Sequence, residues 1–255
     1  MTDHEQHRLD TTRAAEFGLP GFEVWEEIGS TNDRARVLAR EDRDRGWLVV
    51  GMKQTAGRGR RGTRWVSAPG DGVWMSMVLA HPDAMAQLPL LIGVACAEAL
   101  EEVVNVPVTV KWPNDLIIDD RKLGGILVER GTDWVVAGIG INVSAAPDPG
   151  ECLDGPSDLS PTALAEHARH VPSVLGLAGT LARRILDRLD ESKGVDRALL
   201  AFRSRDALRG RWVQTDERGP GIARGVDEDG MLLLELDDGS VVPVRSGSVR
   251  VLPQP

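Results

Sequence analysis

The stretch "KQTAGRGRRGTRW", from Lys53 to Trp65, places five basic residues and three glycines together with no acidic residue among them. The whole chain is acidic, with 39 Asp and Glu against 30 Lys and Arg and a formal net charge of −9. Three interpretations compete: a dinucleotide-binding turn, an arginine patch for nucleic acid, and a mobile loop that closes over a small anionic substrate. A solvated basic loop is the usual outcome of a charge run. It does not explain the tryptophan and glycines interleaved with the charge.

The three glycines of this stretch spell G-x-G-x-x-G, and "GWLVVGM" before it predicts a buried strand. A dinucleotide-binding turn also needs a helix at its end to receive the pyrophosphate. The following "TRWVSAPGDG" contains Pro69, Gly70 and Gly72, which do not support a helix. We therefore reject the dinucleotide interpretation.

Composition narrows the class of protein. A chain of 255 residues predicts one large domain, or a large domain with a small companion. It has no apolar run near the ~18 to 20 residues that span a bilayer, and no apolar core of a signal peptide. Cys96 and Cys152 match no metal or redox spacing, so we expect both to be unpaired in a cytoplasmic protein. The acidic balance argues against a general DNA or membrane-surface binder but permits a local cationic pocket.

Hydrophobic patterning divides the chain into three parts. We expect a flexible N-terminal tail over 1–20, a large domain over 21–208, and a small β unit over 209–255. Within the large domain, "FEVWEEIGS", "GWLVVGM" and "VWMSMVLA" predict strands, as do the four β-rich runs "VPVTVKW", "LIID", "LGGILVERG" and "WVVAGIGINVS". From about Arg209, short strands joined by "DEDG" and "DDGS" predict a small β-barrel, because Asp-Gly between apolar runs is a strong hairpin signal.

Helical spacing of apolar residues accounts for the remainder. Leu88, Leu91, Val94, Ala95 and Leu100 recur at three-to-four spacing, which predicts a helix packed on a sheet. Further helices are predicted for "NDRARVLARE", capped by a hydroxyl of Ser30 or Thr31, and for "SPTALAEHARH", "SVLGLAGTLARRILDRLDE" and "VDRALLAFRSRDAL".

Common catalytic signatures are missing from the sequence. It contains no G-x-S-x-G elbow and no G-x-x-x-x-G-K-[ST] phosphate loop, and its five histidines avoid the glycine-rich runs. Four segments remain: "GSTND" at 29–33, the basic stretch at 53–65, "KWPNDL" at 111–116, and "KLGGILVE" with "GIGINV" at 122–143. Taken singly, they are a helix cap, a solvated loop, a strand-end lysine with a turn, and glycines needed for tight strand packing.

Taken together, "QTAGRGRRG", "KWPND" and "KLGGIL" resemble the biotin protein ligases over roughly residues 22–145, and the last 50 residues look like that family's small C-terminal domain. The resemblance implies an α+β fold. Its mixed central sheet with flanking helices is similar to class II aminoacyl-tRNA synthetase catalytic domains, and an SH3-like barrel follows. The implied enzyme activates biotin with ATP as biotinyl-5′-AMP and transfers it to a lysine of a biotin carboxyl carrier domain.

The resemblance also implies residue roles. Catalysis is assigned to Lys111 and Arg58. The biotin-binding residues are Ser30, Thr31, Asn32, Gln54, Arg58, Gly59, Arg60 and Lys111. The ATP-binding residues are Arg60, Trp65, Lys122 and Asn142, with Trp65 stacking on adenine. Leu116, Gly125 and Ile126 should wall the pocket. Mg²⁺ is expected with ATP, without assigned protein ligands.

Charge gives these roles a physical basis, because joining a carboxylate to a triphosphate requires like charges to be held together by fixed cations. Arginine suits this task because its planar fork binds carboxylate and phosphate bidentately. We expect the basic stretch to be loosely held until such an anion binds, since its cations repel one another.

The remaining expectations concern binding partners and a competing functional assignment. Some family members begin with a DNA-binding module of about sixty residues. Only 29 residues precede Ser30, so we expect no such module and no DNA partner. We also expect no membrane partner and a monomer or weak homodimer. The nearest rival is a lipoate or octanoate–protein ligase of the same fold. A polar pocket built from Ser30, Thr31 and Gln54 favours a ureido ring over an apolar dithiolane.

Overall fold

The computed structural model describes residues 7–41, 43–79, 87–148, 159–190 and 194–253. Eight strands of the described residues form the central sheet: β1 (His7–Leu9), β2 (Phe22–Trp25), β3 (Leu48–Gly51), β4 (Gly72–Leu79), β5 (Thr109–Lys111), β6 (Asp115–Ile118), β7 (Arg121–Arg130) and β8 (Val135–Asn142). Their spatial order is β1-β2-β3-β4-β8-β7-β6-β5. The β2–β3 pair is parallel and the other neighbours are antiparallel, so the predicted mixed sheet is confirmed.

Five α-helices of the described residues flank this sheet: α1 (Thr11–Phe17), α2 (Thr31–Arg40), α3 (Leu88–Val104), α4 (Val174–Asp190) and α5 (Gly194–Arg205). The helices α3, α4 and α5 cover one face and share its large core. Helix α2 covers the opposite face, where Ala35 and Leu38 pack against Val49, Val78 and Val136. With both faces covered, all eight residues of β4 are buried, which explains its near-continuous apolar run.

Helix α3 agrees with the apolar spacing that predicted it. Its five predicted contact positions are all buried in the main core. It ends at Asn105, whose φ of 55° is the left-handed conformation typical of a helix C-terminus. Burial of this apolar face, rather than helix propensity alone, holds the helix on the sheet.

One turn predicted from the sequence positions the site. Asp119 and Asp120, with φ of 49° and 57°, form the predicted tight turn between β6 and β7. Asp tolerates this left-handed backbone better than most residues. The turn folds "KWPND" and "KLGGIL" onto one another as an antiparallel hairpin.

The C-terminal part is a five-stranded antiparallel sheet. Its strands are β9 (Trp212–Thr215), β10 (Gly219–Val226), β11 (Leu232–Glu235), β12 (Val241–Val244) and β13 (Val249–Val251), in the order β12-β11-β10-β9-β13. Gly230 and Gly239 supply the positive φ of the two predicted hairpin turns. The sequence predicted four of these strands, and β13 pairs with β9 as a fifth.

The structure contradicts the predictions for two segments of the chain. The expected flexible tail contains β1 and α1, because His7–Leu9 pair with β2 and Ala14 and Leu19 enter the core. The expected helix over "SPTALAEHARH" is only a 3-10 turn at Leu164–Glu166. Residues 160–162 instead follow β7, where the Lys122 N–H donates to the Ser160 carbonyl and the Thr162 N–H donates to the Lys122 carbonyl, so tertiary pairing overrides the local helical pattern.

Cys96 is an unpaired, fully buried cysteine, and burial raises the pKa of its thiol to about 12. It is therefore inert packing rather than a nucleophile. Cys152 lies outside the described residues. No described helix combines the length and apolar character needed to cross a membrane.

Candidate functional site

A cavity of about 1050 Å³ lies among the start of α2, the basic stretch, strands β5, β7 and β8, and the C-terminal sheet. Every residue predicted to bind biotin or ATP lines it: Ser30, Thr31, Asn32, Gln54, Arg58, Gly59, Arg60, Trp65, Lys111, Lys122 and Asn142. The predicted wall residues Gly125 and Ile126 also line it. Leu116 does not, because its side chain is fully buried in the main core, so that prediction is wrong.

One end of the cavity is a cluster of polar side chains, which we call the polar cluster: the buried Thr31, Asn32 and Ser76 and the half-buried Gln54. Gln54 Oε1 lies 2.9 Å from the Thr31 backbone N and 3.1 Å from Thr31 Oγ1. Ser76 Oγ lies 2.7 Å from Thr31 Oγ1 and 2.5 Å from Asn32 Oδ1. Asn32 Nδ2 donates to Glu129 Oε2 at 2.7 Å. The first turn of α2 is therefore tied to β4, β7 and the basic stretch.

The number of donors and acceptors in the polar cluster indicates which group donates in each hydrogen bond. Asn32 Oδ1 can only accept, so Ser76 donates its single proton to it. Thr31 donates to Gln54 Oε1 through both its hydroxyl and its backbone N–H, and its Oγ1 faces the Ser76 hydroxyl. Gln54 Nε2 donates a further hydrogen bond to Ser67 Oγ at 2.9 Å. This order fixes the orientation of both carboxamides, as recognition of a small polar ring requires.

Ser30 occupies the N-cap position of α2, but its side chain makes no capping hydrogen bond. The predicted hydroxyl cap is wrong, since Gln54 accepts from the first helical N–H instead. Ser30 is buried and lines the cavity. Its hydroxyl is thus placed for the cavity rather than for the helix.

The basic stretch folds into a short hairpin over the cavity, residues 57–65, which we call the lid. Its base is closed by the Trp65 N–H donating to the Gly57 carbonyl at 2.9 Å, and its middle by the Gly59 N–H donating to the Thr63 carbonyl at 2.7 Å. A single 3-10 turn at Arg60–Gly62 forms the tip. As predicted, no helix opens after the glycines.

The cations of the basic stretch have acidic partners from distant parts of the chain. Arg58 donates two hydrogen bonds of 2.8 Å to Asp33 on α2. This contact lowers the pKa of Asp33 and raises that of Arg58. Lys53 pairs with Glu27 at 2.6 Å on the surface.

The fold thus supplies carboxylate partners for Lys53 and Arg58 that the local sequence lacks, and the loose hold expected for the stretch without a bound anion stays a prediction. Arg60 is the most enclosed of these guanidiniums, and burial lowers its pKa. Its Nη1 donates to the Gly247 carbonyl at 3.1 Å. Whether ligand binding orders the lid further stays a prediction.

Lys111 ends β5 with its side chain buried at the cavity wall, 6% exposed. Burying an ammonium costs free energy unless anionic or hydrogen-bonding groups meet it. Lys122, opposite on β7, pairs with Asp115 at 2.8 Å. Two cations, on the strands β5 and β7 that flank β6, thus line the cavity.

Trp65 rests on a floor made by two glycines. Gly125 of β7 pairs directly with Gly140 of β8, and a Cβ at Gly140 would lie 2.6 Å from Trp65 Cε2. Lys122 Nζ lies 5.5 Å from the ring centroid. The buried Trp65 Nε1 has no hydrogen-bond partner among the described residues. Gly124 is instead needed for tight strand packing, as expected. A Cβ there would overlap the Gly140 carbonyl.

Asn142 ends β8, is 3% exposed, and donates through Nδ2 to the Thr162 carbonyl at 2.9 Å. Its amide nitrogen therefore holds the 160–162 segment against the sheet. Its carboxamide still lines the cavity. The predicted nucleotide contact would thus use the oxygen or remaining N–H.

Sequence reasoning missed Ser76, Glu129 and Asp33, which hold the predicted residues in place. Ser76 carried a signal: it is a lone hydroxyl in the otherwise apolar run "VWMSMVLA". A buried hydroxyl needs a partner, so its position on a fully buried strand could have marked it. Glu129 and Asp33 read as ordinary surface acids and carried no such signal.

Comparison with known proteins agrees with this geometry. Residues 25–144 match the model of the Biotin/lipoate A/B protein ligase family, and residues 220–251 match that of the Biotin protein ligase C terminal domain. The chain is 32% identical over 243 residues to the bifunctional ligase/repressor BirA of Bacillus subtilis, covering 83% of this chain and 68% of that protein. It is 30% identical over 271 residues to the biotin–[acetyl-CoA-carboxylase] ligase of Mycobacterium tuberculosis, covering 98% of each.

Solved structures show the same fold. The biotin protein ligase from Aquifex aeolicus in complex with biotin and ATP superposes with a TM-score of 0.77 at 29% identity, covering 91% of this chain and 99% of that one. The Leishmania major enzyme in complex with biotinyl-5-AMP gives 0.63 at 26% identity, covering 88% and 98%. With both domains matched in order and the predicted site residues gathered in one cavity, this chain belongs to the biotin protein ligase family.

Proposed function

We propose that this chain joins biotin to ATP as biotinyl-5′-AMP and then transfers the biotinyl group to a lysine of a biotin carboxyl carrier domain, that of acetyl-CoA carboxylase or of another biotin-dependent carboxylase. One observation carries the proposal. A single cavity contains a hydrogen-bonded polar cluster at one end, an arginine lid above, and two buried or half-buried lysines between. Ligase names among the relatives support the chemistry.

The polar cluster suits the ureido ring of biotin. A ureido group has two N–H donors and one carbonyl acceptor, and Ser30, Thr31, Asn32 and Gln54 offer both kinds of partner in fixed orientations. A dithiolane offers neither and would use none of the hydrogen-bonding capacity that these groups present to the cavity. The rival lipoate or octanoate ligase is disfavoured for this reason.

The cationic part suits the reacting groups. In the first step a carboxylate oxygen of biotin attacks the α-phosphorus of ATP, and pyrophosphate leaves. Lys111 and Arg58 would stabilise the negative charge that concentrates there, while Gly59 and Arg60 cover the activated carboxyl group. In the second step the carrier amine attacks the acyl carbon, AMP leaves, and an amide remains.

The nucleotide part is proposed for Trp65, Lys122, Asn142 and Arg60, with adenine against the Trp65 ring. Magnesium would arrive with ATP and neutralise phosphate charge. Among the described residues no group of three or more His, Cys, Asp or Glu could hold a metal ion.

Pyrophosphate exchange tests the proposal. We expect exchange into ATP with biotin and none above background with lipoate or octanoate at the same concentration. Equal exchange with lipoate would sink the biotin assignment. A low-salt gel shift with DNA or RNA, combined with no exchange, would favour the nucleic-acid interpretation of the arginines instead.

A further inference from the structure

The tip of the lid touches the C-terminal sheet. Arg61 Nη1 donates to Asp216 Oδ2 at 2.6 Å and lies 3.5 Å from Ser248 Oγ. The neighbouring Arg60 donates to the Gly247 carbonyl at 3.1 Å. Asp216 directly follows β9, and Gly247 and Ser248 lie between β12 and β13. Two turns of the C-terminal sheet therefore form hydrogen bonds with the tip of the lid.

Asp216 is held in place before it meets the lid. The Ser248 N–H donates to its Oδ2 at 3.0 Å. This hydrogen bond, followed by the contact with Arg61, lowers the pKa of Asp216, so the carboxylate is charged near neutrality. Gly247, with φ of 127°, lets the turn approach closely, and a Cβ there would sit 3.5 Å from Asp216 Cβ.

Arg61 is held in an unfavourable backbone conformation. Its φ of 57° lies in the left-handed region, which residues with a side chain rarely adopt. Such a residue persists where surrounding contacts determine its position. Here the Thr63 N–H donates to the Arg60 carbonyl across the turn, and the Arg61 side chain pairs with Asp216.

We infer that Asp216 is a positioning residue that, through Arg61, holds the lid closed over the cavity. The base of the lid is held separately by Arg58 on Asp33 of α2. The C-terminal sheet thus sets how often the tip opens, and so how well a reactive intermediate is retained. The retention of a reactive intermediate rests on the proposed function. The ion pair between Arg61 and Asp216, which we call the latch, does not.

The latch is weak because solvent surrounds both of its side chains. The side chains of Arg61 and Asp216 are 55% and 50% exposed. Exposed ion pairs change equilibria by about two- to five-fold, and salt screens them. A contact of this strength keeps the lid mostly closed while still permitting substrates to enter and products to leave.

Trypsin tests the latch without any ligand. The purified full chain is compared with Asp216→Asn, which keeps all four arginines of the lid, with Asp216→Glu, and with Asp238→Asn. The last makes the same chemical change in another turn of the C-terminal sheet, where Asp238 accepts from the Ser240 N–H. We expect cleavage after Arg58, Arg60, Arg61 or Arg64 to be about two- to five-fold faster in Asp216→Asn. Asp216→Glu should restore part of the protection, and Asp238→Asn should match the wild type.

Salt and melting temperature separate a latch from general loosening. Raising salt should accelerate cleavage of the wild-type lid towards the rate of Asp216→Asn, while that variant changes little. Thermal midpoints should stay equal. Unchanged cleavage in Asp216→Asn, or acceleration at sites throughout the chain with a lowered midpoint, would overturn the latch. Loosened lids in a chain that shows no biotin-dependent exchange would keep the latch and reject the proposed function.

Discussion

The polar cluster and the lid are two ends of one cavity built on opposite principles. In the polar cluster, Thr31, Asn32 and Ser76 are at most 4% exposed and their hydrogen bonds run in a fixed order. In the lid, the Arg58 and Arg61 side chains are 32% and 55% exposed; Arg58 pairs with Asp33 and, at 3.9 Å, with Glu129, and Arg61 pairs with Asp216. The first region can recognise a neutral polar ring without moving. The second can open and close, because each of its contacts is individually weak.

The largest expected effect lies between the two regions, at Lys111. Lys111→Ala should slow single-turnover adenylate formation on the order of 100-fold or more, because one preorganised charge at the reacting phosphate is lost. Biotin affinity, set by the polar cluster, should stay within a few-fold. Quenched-flow adenylation and biotin titration measure the two. Lys53→Ala is the control, since Lys53 pairs with Glu27 on the surface. Collapsed biotin affinity with a normal rate would contradict this division.

The second prediction breaks the polar cluster alone. A Cβ at Gly138 would overlap the carboxamide of Asn32, so Gly138→Ala should displace that side chain from Ser76. We expect biotin affinity to fall roughly tenfold or more, since a buried hydrogen bond is lost. Tryptic cleavage of the lid should not change. Gly29→Ala is the matched control, because nothing lies within 4 Å of a Cβ there. Equal affinity in both variants would show that the fixed cluster does not bind biotin.

The third prediction breaks the lid alone. Arg60→Gly removes the buried guanidinium that reaches the Gly247 carbonyl, so biotinyl-5′-AMP should escape before transfer. Biotin on bystander lysines, mapped by mass spectrometry, should rise several-fold, while biotin affinity falls less than in Gly138→Ala. Arg43→Gly, which removes an exposed guanidinium beside Trp47, serves as control. Release no greater than that of the control would mean that the lid does not retain the adenylate.

The smallest effect concerns the base of the lid and pH. The hydrogen bonds from Arg58 lower the pKa of Asp33 below its usual value, so the ionised pair stabilises the fold above about pH 4. That stabilisation is lost as pH falls through the lowered pKa. Because both side chains are about one-third or more exposed, Asp33→Asn should cost at most about 1 kcal/mol, or about 2–4 °C in melting temperature, at pH 7.

The comparison of melting temperatures at two pH values decides this last point. The gap between wild type and Asp33→Asn should be smaller at pH 3 than at pH 7, because the stabilisation by the ionised pair is lost as pH falls through the lowered pKa of Asp33. Asp133→Asn, on a carboxylate with no ion pair among the described residues, should show no gap at either pH. A gap of equal size at pH 3 and pH 7 would show that the ionised pair contributes nothing.

Local patterns predicted much of the fold for identifiable reasons. The buried strands β3, β4 and β8 and the helix α3 were visible because apolar periodicity reports burial directly. The 160–170 segment was predicted as a helix because its local composition allows one, while its backbone hydrogen bonds are made with β7. The N-terminal strand β1 was missed because an edge strand of polar residues has no apolar pattern to detect.

The sequence by itself determined the family, the order of the two folded parts and the set of residues at the cavity. These follow from residue types at fixed spacings, such as glycines where backbone must approach closely and arginines where anions must be held. Only the tertiary structure decided which acids meet those arginines and which side chains orient the polar cluster. Asp33, Ser76 and Asp216 come from a helix, a central strand and a separate sheet. No local pattern reports such pairings, because electrostatic and hydrogen-bond partners depend on distance in space and not on distance along the chain.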